Sequence, residues 1–249
     1  MRTVAVVLAA GSGRRFGSAR PKQLGLLAGR TLVEHCVSAF DQAPGVDAVI
    51  VVAAPEIEAE VRHTCAEYAK LAAVIPGGET RTDSTRRAID WLVATQETAE
   101  PGSPDWKVLF HDAARPLVDQ RTIADTITAL DQWAAAGVVV PSSDTIVEIA
   151  DGVVQRVLPR DTLARCQTPQ GFRLPVIARA YELAGADRGF AALPATDDCG
   201  VVLRYLPDVP VGLVTGSERN IKVTYPGDLA VAEALLEPGD GAHGTDHCP

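Results

Sequence analysis

Two glycines and a run of cations stand directly behind the first apolar stretch of this chain. Val4–Ala10 is followed by Gly11-Ser12-Gly13, then by Arg14, Arg15, Arg20, Lys22 and Gln23. Backbone N–H groups in a glycine turn can cradle phosphate oxygens, and cations a few residues on can reach the rest of a polyphosphate. The same residues could equally form a tight turn with solvated arginines, and one loop does not separate the two. The loop lacks G-x-x-x-x-G-K-[ST], so it is not a Walker A loop. Phe16 stands where G-x-G-x-x-G needs its third glycine, and Ala53-Ala54-Pro55 offers no acid to a ribose. A dinucleotide-dependent dehydrogenase is therefore disfavoured.

Three further loops carry similar chemistry. Pro76–Ser84 reads PGGETRTDS, His111–Pro116 reads HDAARP, and Pro141–Thr145 reads PSSDT. They add Arg81 and Arg115, with Asp83 and Asp112 among them. Asp112 could hold a divalent metal, sit under a ribose, or pair with Arg115. Neither His111 nor His35 has a partner at zinc-ligand spacing. No G-x-S-x-G elbow or Ser-His-Asp set occurs, which disfavours nucleophilic hydrolysis. The second half contributes polar runs between apolar segments: Arg160, Gln167-Thr168-Pro169-Gln170, Thr196-Asp197-Asp198 and Asn220–Thr224.

Elements of alternating type must position these loops. Val4–Ala9 is apolar throughout, as expected of a strand buried on both faces. Thr31–Ala43 has helical apolar spacing, with Thr31 and Glu34 as a capping box. Val46–Ala53 reads as a strand and Pro55–Lys70 as a helix with proline in its first turn. Then come a strand at Ala72–Ile75, a helix at Asp83–Thr95 capped by Asp83, and a strand at Trp106–Phe110. A helix at Gln120–Ala136 and a strand at Val138–Val140 follow. This alternation implies an α/β fold, a mostly parallel sheet with helices on both faces. Ligands of such sheets bind outside the carboxyl ends of the strands, where all four loops open. Beyond it, Thr145–Leu158 places Val- and Ile-rich runs on either side of Asp151-Gly152, a hairpin signal. The hairpin is either a protruding arm that pairs with another subunit or an ordinary edge hairpin. Leu174–Leu183, Asp198–Tyr205 and Pro226–Leu236 read as helices, and Val211–Val214 as a strand. A single domain is expected over residues 1–237, with an arm at about 144–160. Residues 238–249, rich in Gly, Asp and His, read as a disordered tail.

Composition narrows the classes. A 47% apolar fraction supports a substantial core. A net charge of −9 disfavours nucleic-acid binding. The clustered N-terminal cations, set among glycines rather than aromatics, suit a compact polyanion such as a nucleoside triphosphate. Five scattered cysteines without C-x-x-C spacing imply reduced thiols. A signal peptide is a poor reading of the N-terminus, because only seven apolar residues precede the cations. No apolar run is long enough to span a membrane. A cytoplasmic protein without membrane or nucleic-acid partners is expected.

Seven motifs in order carry a family resemblance: VLAAGSGRR with PKQ, GGETRTDS, HDAARP, DTI, QTPQGF, TDD and NIKVTYPxDL, from about Val4 to Leu236. Together they resemble the cytidylyltransferases that charge polyol phosphates with CTP. Two branches of that family use 2-C-methyl-D-erythritol 4-phosphate and D-ribitol 5-phosphate. The resemblance implies a Rossmann-like fold, a homodimer joined by the β-arm, and a need for Mg²⁺. It also implies residue roles. Ala9, Ala10, Gly11, Ser12 and Gly13 would wrap the CTP phosphates. Gly78, Glu79 and Ser84 would sit against cytosine, with Asp83 shaping that loop. Asp112 would touch the ribose or the metal. Arg15, Lys22 and Lys222 would flank the reacting phosphate as the catalytic cations. Arg115, Thr145, Arg160, Thr168 and Thr196 would hold the polyol phosphate, the last four partly across the dimer.

Within the family, HDAARP resembles the methylerythritol branch. Asp83–Arg86, DTIVE and the run from Thr196 to Val211 resemble the pentitol branch more, as do Val147 after DTI and Cys199. D-ribitol 5-phosphate is thus the expected acceptor, with CDP-ribitol feeding a cell-envelope polymer such as teichoic acid. The alternative is 2-C-methyl-D-erythritol 4-phosphate, in non-mevalonate isoprenoid synthesis. A separate reductase supplying the polyol phosphate is expected in the pentitol case. Two further alternatives are a CTP-binding module without catalysis and a nucleotidyltransferase specific for another base.

Overall fold

The computed structural model describes residues 1–11, 16–17, 21–99, 105–190 and 195–236. Strand β1 (Thr3–Ala9) is buried at every position, as its unbroken apolar sequence requires. A 3-10 turn (Lys22–Leu24) and a small hairpin, β2 (Leu26–Leu27) with β3 (Arg30–Thr31), lead to helix α1 (Leu32–Asp41). The predicted capping box is present: Thr31 Oγ1 accepts from Glu34 N, and the Glu34 carboxylate accepts from Thr31 N. β4 (Ala48–Ala53), helix α2 (Glu58–Thr64), β5 (Leu71–Pro76) and helix α3 (Arg81–Ala99) continue the alternation. Then follow β6 (Lys107–Asp112), helix α4 (Gln120–Gln132) and β7 (Ala135–Pro141).

The rest of the chain holds the hairpin β8 (Val147–Ala150) and β9 (Val153–Val157), strand β10 (Ala164–Arg173) and helix α5 (Leu174–Ala186). Helix α6 (Asp198–Tyr205), β11 (Val211–Thr215) and helix α7 (Gly227–Leu236) complete it. Among the described residues the main sheet has seven strands in the order β11-β7-β10-β6-β1-β4-β5. All are parallel except β10, which runs antiparallel to both β6 and β7. Alternate residues of β1 enter two cores. Ala5, Val7 and Ala9 pack with Val33, Phe40, Val61 and Ile123 on one face, and Val4, Val6 and Leu8 with Leu92, Ile177 and Val202 on the other. The fold is the expected α/β layering with helices on both faces.

Several local expectations need correction. The helix expected over Pro55–Lys70 divides into a 3-10 turn at Pro55–Ile57 and the short α2, which stops before Cys65. The helix expected to reach Ala136 ends at Gln132, because Ala135 and Ala136 pair with β10 on one side and β11 on the other. β10 was not anticipated, since its centre reads QTPQ. Pro169 is tolerated there because the ladder shifts register between Gln167 and Gln170. The cap of α3 is Thr80 rather than Asp83. Thr80 Oγ1 accepts from Asp83 N at 3.1 Å, and Asp83 returns a carboxylate oxygen to Thr80 N at 3.2 Å. The hairpin turns on Asp151 (φ 51°) and Gly152 (φ 77°), the left-handed pair that a two-residue turn demands. The tail 238–249 lies outside the described residues, as does Cys248; Cys36, Cys65, Cys166 and Cys199 are free thiols.

Candidate active site

The carboxyl ends of β1, β5, β6 and β7 share one edge of the sheet, as expected from parallel pairing through β1. β10 begins at the same edge: Ala164 pairs with Pro141, and Gln170 with Phe110. The arm leaves the carboxyl end of β7 and returns into β10, so it is rooted beside the site.

Of the glycine loop, Ala9, Ala10 and Gly11 are described; Ser12, Gly13, Arg14 and Arg15 lie outside the described residues. Buried Gln23 donates from Nε2 to the Gly11 carbonyl at 2.6 Å, tying the loop to the PKQ motif. Lys22 Nζ donates to the Val223 carbonyl at 3.1 Å, which draws the segment before α7 against the same loop.

The loop after β5 is closely packed. A Cβ on Gly77 would lie 2.2 Å from Ala10 Cβ, and one on Gly78 would lie 2.3 Å from Asp83 Cβ. Only glycine allows this approach at either position. Ser84 Oγ accepts from Gly78 N at 3.1 Å and donates to the Thr80 carbonyl at 3.0 Å. The loop is therefore folded onto the N-terminus of α3, with Glu79 exposed on its outside.

Asp112 ends β6 and stands at the centre of the charge arrangement. Its Oδ1 meets Arg81 Nε at 3.3 Å and its Oδ2 meets Lys222 Nζ at 2.7 Å. Burial pushes this carboxyl's pKa up, but Arg81 and Lys222, with Arg115 behind them, outweigh burial and hold it well below the usual carboxylate range. The pairing with Arg115 weighed from sequence is not made directly. Arg115 instead donates to the carbonyls of Asn220 (2.8 Å) and Cys166 (3.1 Å), locking β10 and the segment before α7 to the HDAARP loop.

Beneath Asp112 lies a buried chain. Asp112 N donates to Thr168 Oγ1 at 3.1 Å, Thr168 Oγ1 lies 3.0 Å from His111 Nδ1, and His111 Nε2 lies 2.9 Å from the Arg115 carbonyl. The Arg115 carbonyl can only accept, so Nε2–H donates to it; in the neutral ring Nδ1 is then the acceptor, and the Thr168 hydroxyl, which accepts from Asp112 N, donates to it. Burial lowers the His111 pKa to about 4, which keeps the ring neutral in that tautomer. Thr168 is thus buried and engaged from below. Thr196 is exposed just before Asp197, whose carboxylate caps α6 through Gly200 N. Thr145 and Arg160 are exposed at the two roots of the arm, with Arg160 Nη1 3.4 Å from the Ser143 carbonyl.

Sequence reasoning placed Arg81 among the site cations but did not see its bridging role. Its Nη2 also meets Asp198 Oδ2 at 2.8 Å. Gln23, His111 and Asn220 were visible only as members of polar motifs, and Tyr181 gave no signal within an apolar helix. Among the described residues no cluster of three or more His, Cys, Asp or Glu side chains could cage a metal ion. Mg²⁺ is commonly held by one or two carboxylates plus substrate phosphates. Asp112, a partly buried carboxylate at the loop edge, fits that mode. No described helix is long and apolar enough to cross a membrane.

Comparison with known proteins agrees with this geometry. The family described as IspD, 2-C-methyl-D-erythritol 4-phosphate cytidylyltransferase, matches residues 3–238. The chain is 52% identical over 245 residues to a 2-C-methyl-D-erythritol 4-phosphate cytidylyltransferase of Thermobifida fusca, covering 96% of this chain and 94% of that one. It is 33% identical to a bifunctional ribulose 5-phosphate reductase/CDP-ribitol pyrophosphorylase of Haemophilus influenzae, across 95% of this chain but 48% of that one. The crystal structure of 4-diphosphocytidyl-2C-methyl-D-erythritol synthase from Anaerococcus prevotii superposes with a TM-score of 0.79 at 27% identity, covering 95% of this chain and 99% of that one. A family match over nearly the whole chain and 52% identity over 245 residues place it plainly: the chain is a member of the IspD family of polyol-phosphate cytidylyltransferases, nucleotidyltransferases that use CTP.

Proposed function

We propose that this enzyme transfers the cytidylyl group of CTP to 2-C-methyl-D-erythritol 4-phosphate. The observation that carries the choice of acceptor is the 52% identity to a methylerythritol-phosphate enzyme over nearly its full length. The expectation of D-ribitol 5-phosphate gives way to it, and the local setting of Val147 and Cys199, two of the residues behind that expectation, does not mark them as acceptor contacts. Cys199 is buried, with Sγ 3.9 Å from the Ala136 carbonyl and packed against Gly137. It reports packing of α6 on the sheet. Val147 is exposed on the arm. A cell-envelope product and a separate reductase belong to the pentitol reading and go with it.

The chemistry needs little covalent help from the protein. An oxygen of the acceptor's phosphate monoester attacks the α-phosphorus of CTP. The bond from that phosphorus to the α,β-bridging oxygen breaks, and pyrophosphate leaves in line. The acceptor is already a competent nucleophile, so catalysis rests on positioning and on neutralising charge. Lys22 and Lys222, brought together by the bond from Lys22 to the Val223 carbonyl, serve as cations beside the α-phosphate. Arg15 is proposed as a third. Ala9 to Gly13 wrap the phosphates, and Gly78, Glu79 and Ser84 face cytosine on the loop shaped by Asp83. Asp112 takes the ribose or, with the triphosphate, Mg²⁺. Bound there, Mg²⁺ would supply charge neutralisation on the phosphate oxygens. Lys222 would then exchange its bond to Asp112 for one to phosphate. Arg115, Thr145, Arg160, Thr168 and Thr196 serve the acceptor's side.

We also propose a homodimer joined through the arm. Every residue of β8 and β9 is exposed, including Ile149 (65%) and Val154 (61%). A lone two-stranded hairpin is marginal in water, and a second copy would cover these side chains and bring Thr145 and Arg160 to its site. Pyrophosphate release from CTP with either acceptor tests the catalytic reading. Turnover with the methylerythritol phosphate supports it, and CTP binding without release under either acceptor would reduce the protein to a binding module.

A further inference from the structure

A polar chain runs from the second core to Asp112 at the active edge, and its Tyr181, Asp198 and Arg81 have no part in the roles given above. Tyr181, on α5, donates its hydroxyl to Asp198 Oδ1 at 2.5 Å. Asp198, at the start of α6, is fully buried and takes Arg81 Nη2 on its other oxygen at 2.8 Å. Arg81 spans to Asp112 through Nε at 3.3 Å. Asp198 is itself pinned: its backbone N–H and that of Cys199 donate to Gln170 Oε1, while Gln170 Nε2 donates to Asp197. Tyr181 of α5, Asp198 of α6 and Gln170 of β10, none of which has a role above, thus converge on one guanidinium.

The arrangement is costly unless it does something. A buried carboxylate needs both partners and geometry to offset lost solvation. The Arg81 side chain is 30% exposed and has several rotatable bonds, so a single contact to Asp112 would leave it free to pivot. Two carboxylates at different angles fix its plane. Burial disfavours the guanidinium's charge, and Asp198 and then Asp112 outweigh it, so the bridge stays cationic. Burial and Asp198 raise the Tyr181 pKa well above the ordinary phenol value, so it remains a donor.

We propose that Tyr181 and Asp198 are positioning residues for cytidylyl transfer, acting through Arg81 to fix the carboxylate plane of Asp112. The inference rests on the cytidylyltransferase reading of the site. If Asp112 must present one oxygen to ribose or metal when Lys222 turns to phosphate, the other oxygen needs a fixed anchor, and Arg81 is that anchor. Loosening it leaves nucleotide contacts elsewhere intact but blurs the geometry of the reacting centre.

The test is a kinetic cycle on the full chain, using CTP, Mg²⁺ and the methylerythritol phosphate. Tyr181→Phe keeps the ring and removes one hydrogen bond. Its kcat should fall about tenfold with KM for CTP changed less than twofold, the signature of lost alignment rather than lost binding. Arg81→Lys keeps the charge but cannot span both carboxylates. In that background Tyr181→Phe should cost almost nothing further, because both changes break one chain. Tyr205→Phe, which removes a similar bond to Asp187 away from the site, should leave kcat unchanged. Should Tyr181→Phe lose its fold by circular dichroism, Asp198→Asn replaces it in the same cycle. Wild-type kcat in Tyr181→Phe, or additive losses in the double variant, would overturn the proposal while leaving the assigned reaction intact. A wild-type enzyme that released no pyrophosphate would overturn both.

Discussion

Lys222 Nζ lies 2.7 Å from Asp112 Oδ2, joining the end of β6 to the segment before α7 across the mouth of the site. The cation proposed for the reacting phosphate is thus paired with the carboxylate proposed for ribose or metal. Lys222→Ala should therefore lower kcat/KM on the order of 10²-fold or more by removing charge stabilisation beside the α-phosphate. Its side chain is 41% exposed, so the fold should survive. Steady-state pyrophosphate release measures the effect, and unchanged turnover would remove Lys222 from the catalytic set.

Lys22→Ala should fail for a related reason. Its Nζ bond to the Val223 carbonyl ties the glycine loop to the segment bearing Lys222. Loss of both the cation and the tie predicts a fall of about 10²-fold or more in kcat. Normal turnover of CTP by this variant contradicts the assignment.

The loops after β1 and β5 touch so closely that a single methyl should part them. Gly77→Ala would set its Cβ 2.2 Å from Ala10 Cβ and 3.2 Å from the Ala53 carbonyl oxygen. Displacing the phosphate loop from the cytosine loop by even 1 Å should cost about 10–100-fold in kcat/KM for CTP. Gly227→Ala, where a Cβ meets nothing within 4 Å, is the matched control and should be silent.

His111 makes stability depend on pH. Its pKa falls from 6.5 in the open chain to about 4 in the fold. Between those values the unfolded chain binds the extra proton, so stability is full above about pH 6.5 and is lost as pH falls towards 4. The contribution is on the order of 3 kcal/mol at most. Urea unfolding of wild type and His111→Gln at pH 7 and pH 5 measures it. The wild type should lose more stability between the two pH values; parallel losses would show that His111 is not the group responsible.

Charge on the arm should separate the subunits. Val154→Asp places a carboxylate on a side chain that is 61% exposed in the single chain, so monomer folding should be unaffected while association fails. Light scattering should report half the wild-type mass. A wild type that is already monomeric would contradict the dimer.

Much of this architecture was legible because local signals agreed with the fold. β1 and β4 are unbroken apolar runs, α1 carries its capping box, and Asp151-Gly152 marks its turn. β10 was not legible: Pro169 and three polar neighbours argue against a central strand, and only pairing with both β6 and β7 imposes it. The same holds for the site. Asp112, Lys22 and Lys222 sit in compact motifs beside strand ends. The bridge made by Arg81 depends on partners 31 and 117 positions away, and no local pattern encodes such a separation. The acceptor expected from sequence leaned in part on Cys199 as a mark of the pentitol branch, and in the fold Cys199 is a packing residue of α6 on the sheet.

The most direct measurement is pyrophosphate release from CTP and Mg²⁺ by the wild-type enzyme with each polyol phosphate in turn. Turnover with 2-C-methyl-D-erythritol 4-phosphate and little with D-ribitol 5-phosphate is the result predicted. Turnover confined to ribitol 5-phosphate would contradict the acceptor proposed here and return Val147 and Cys199 to consideration.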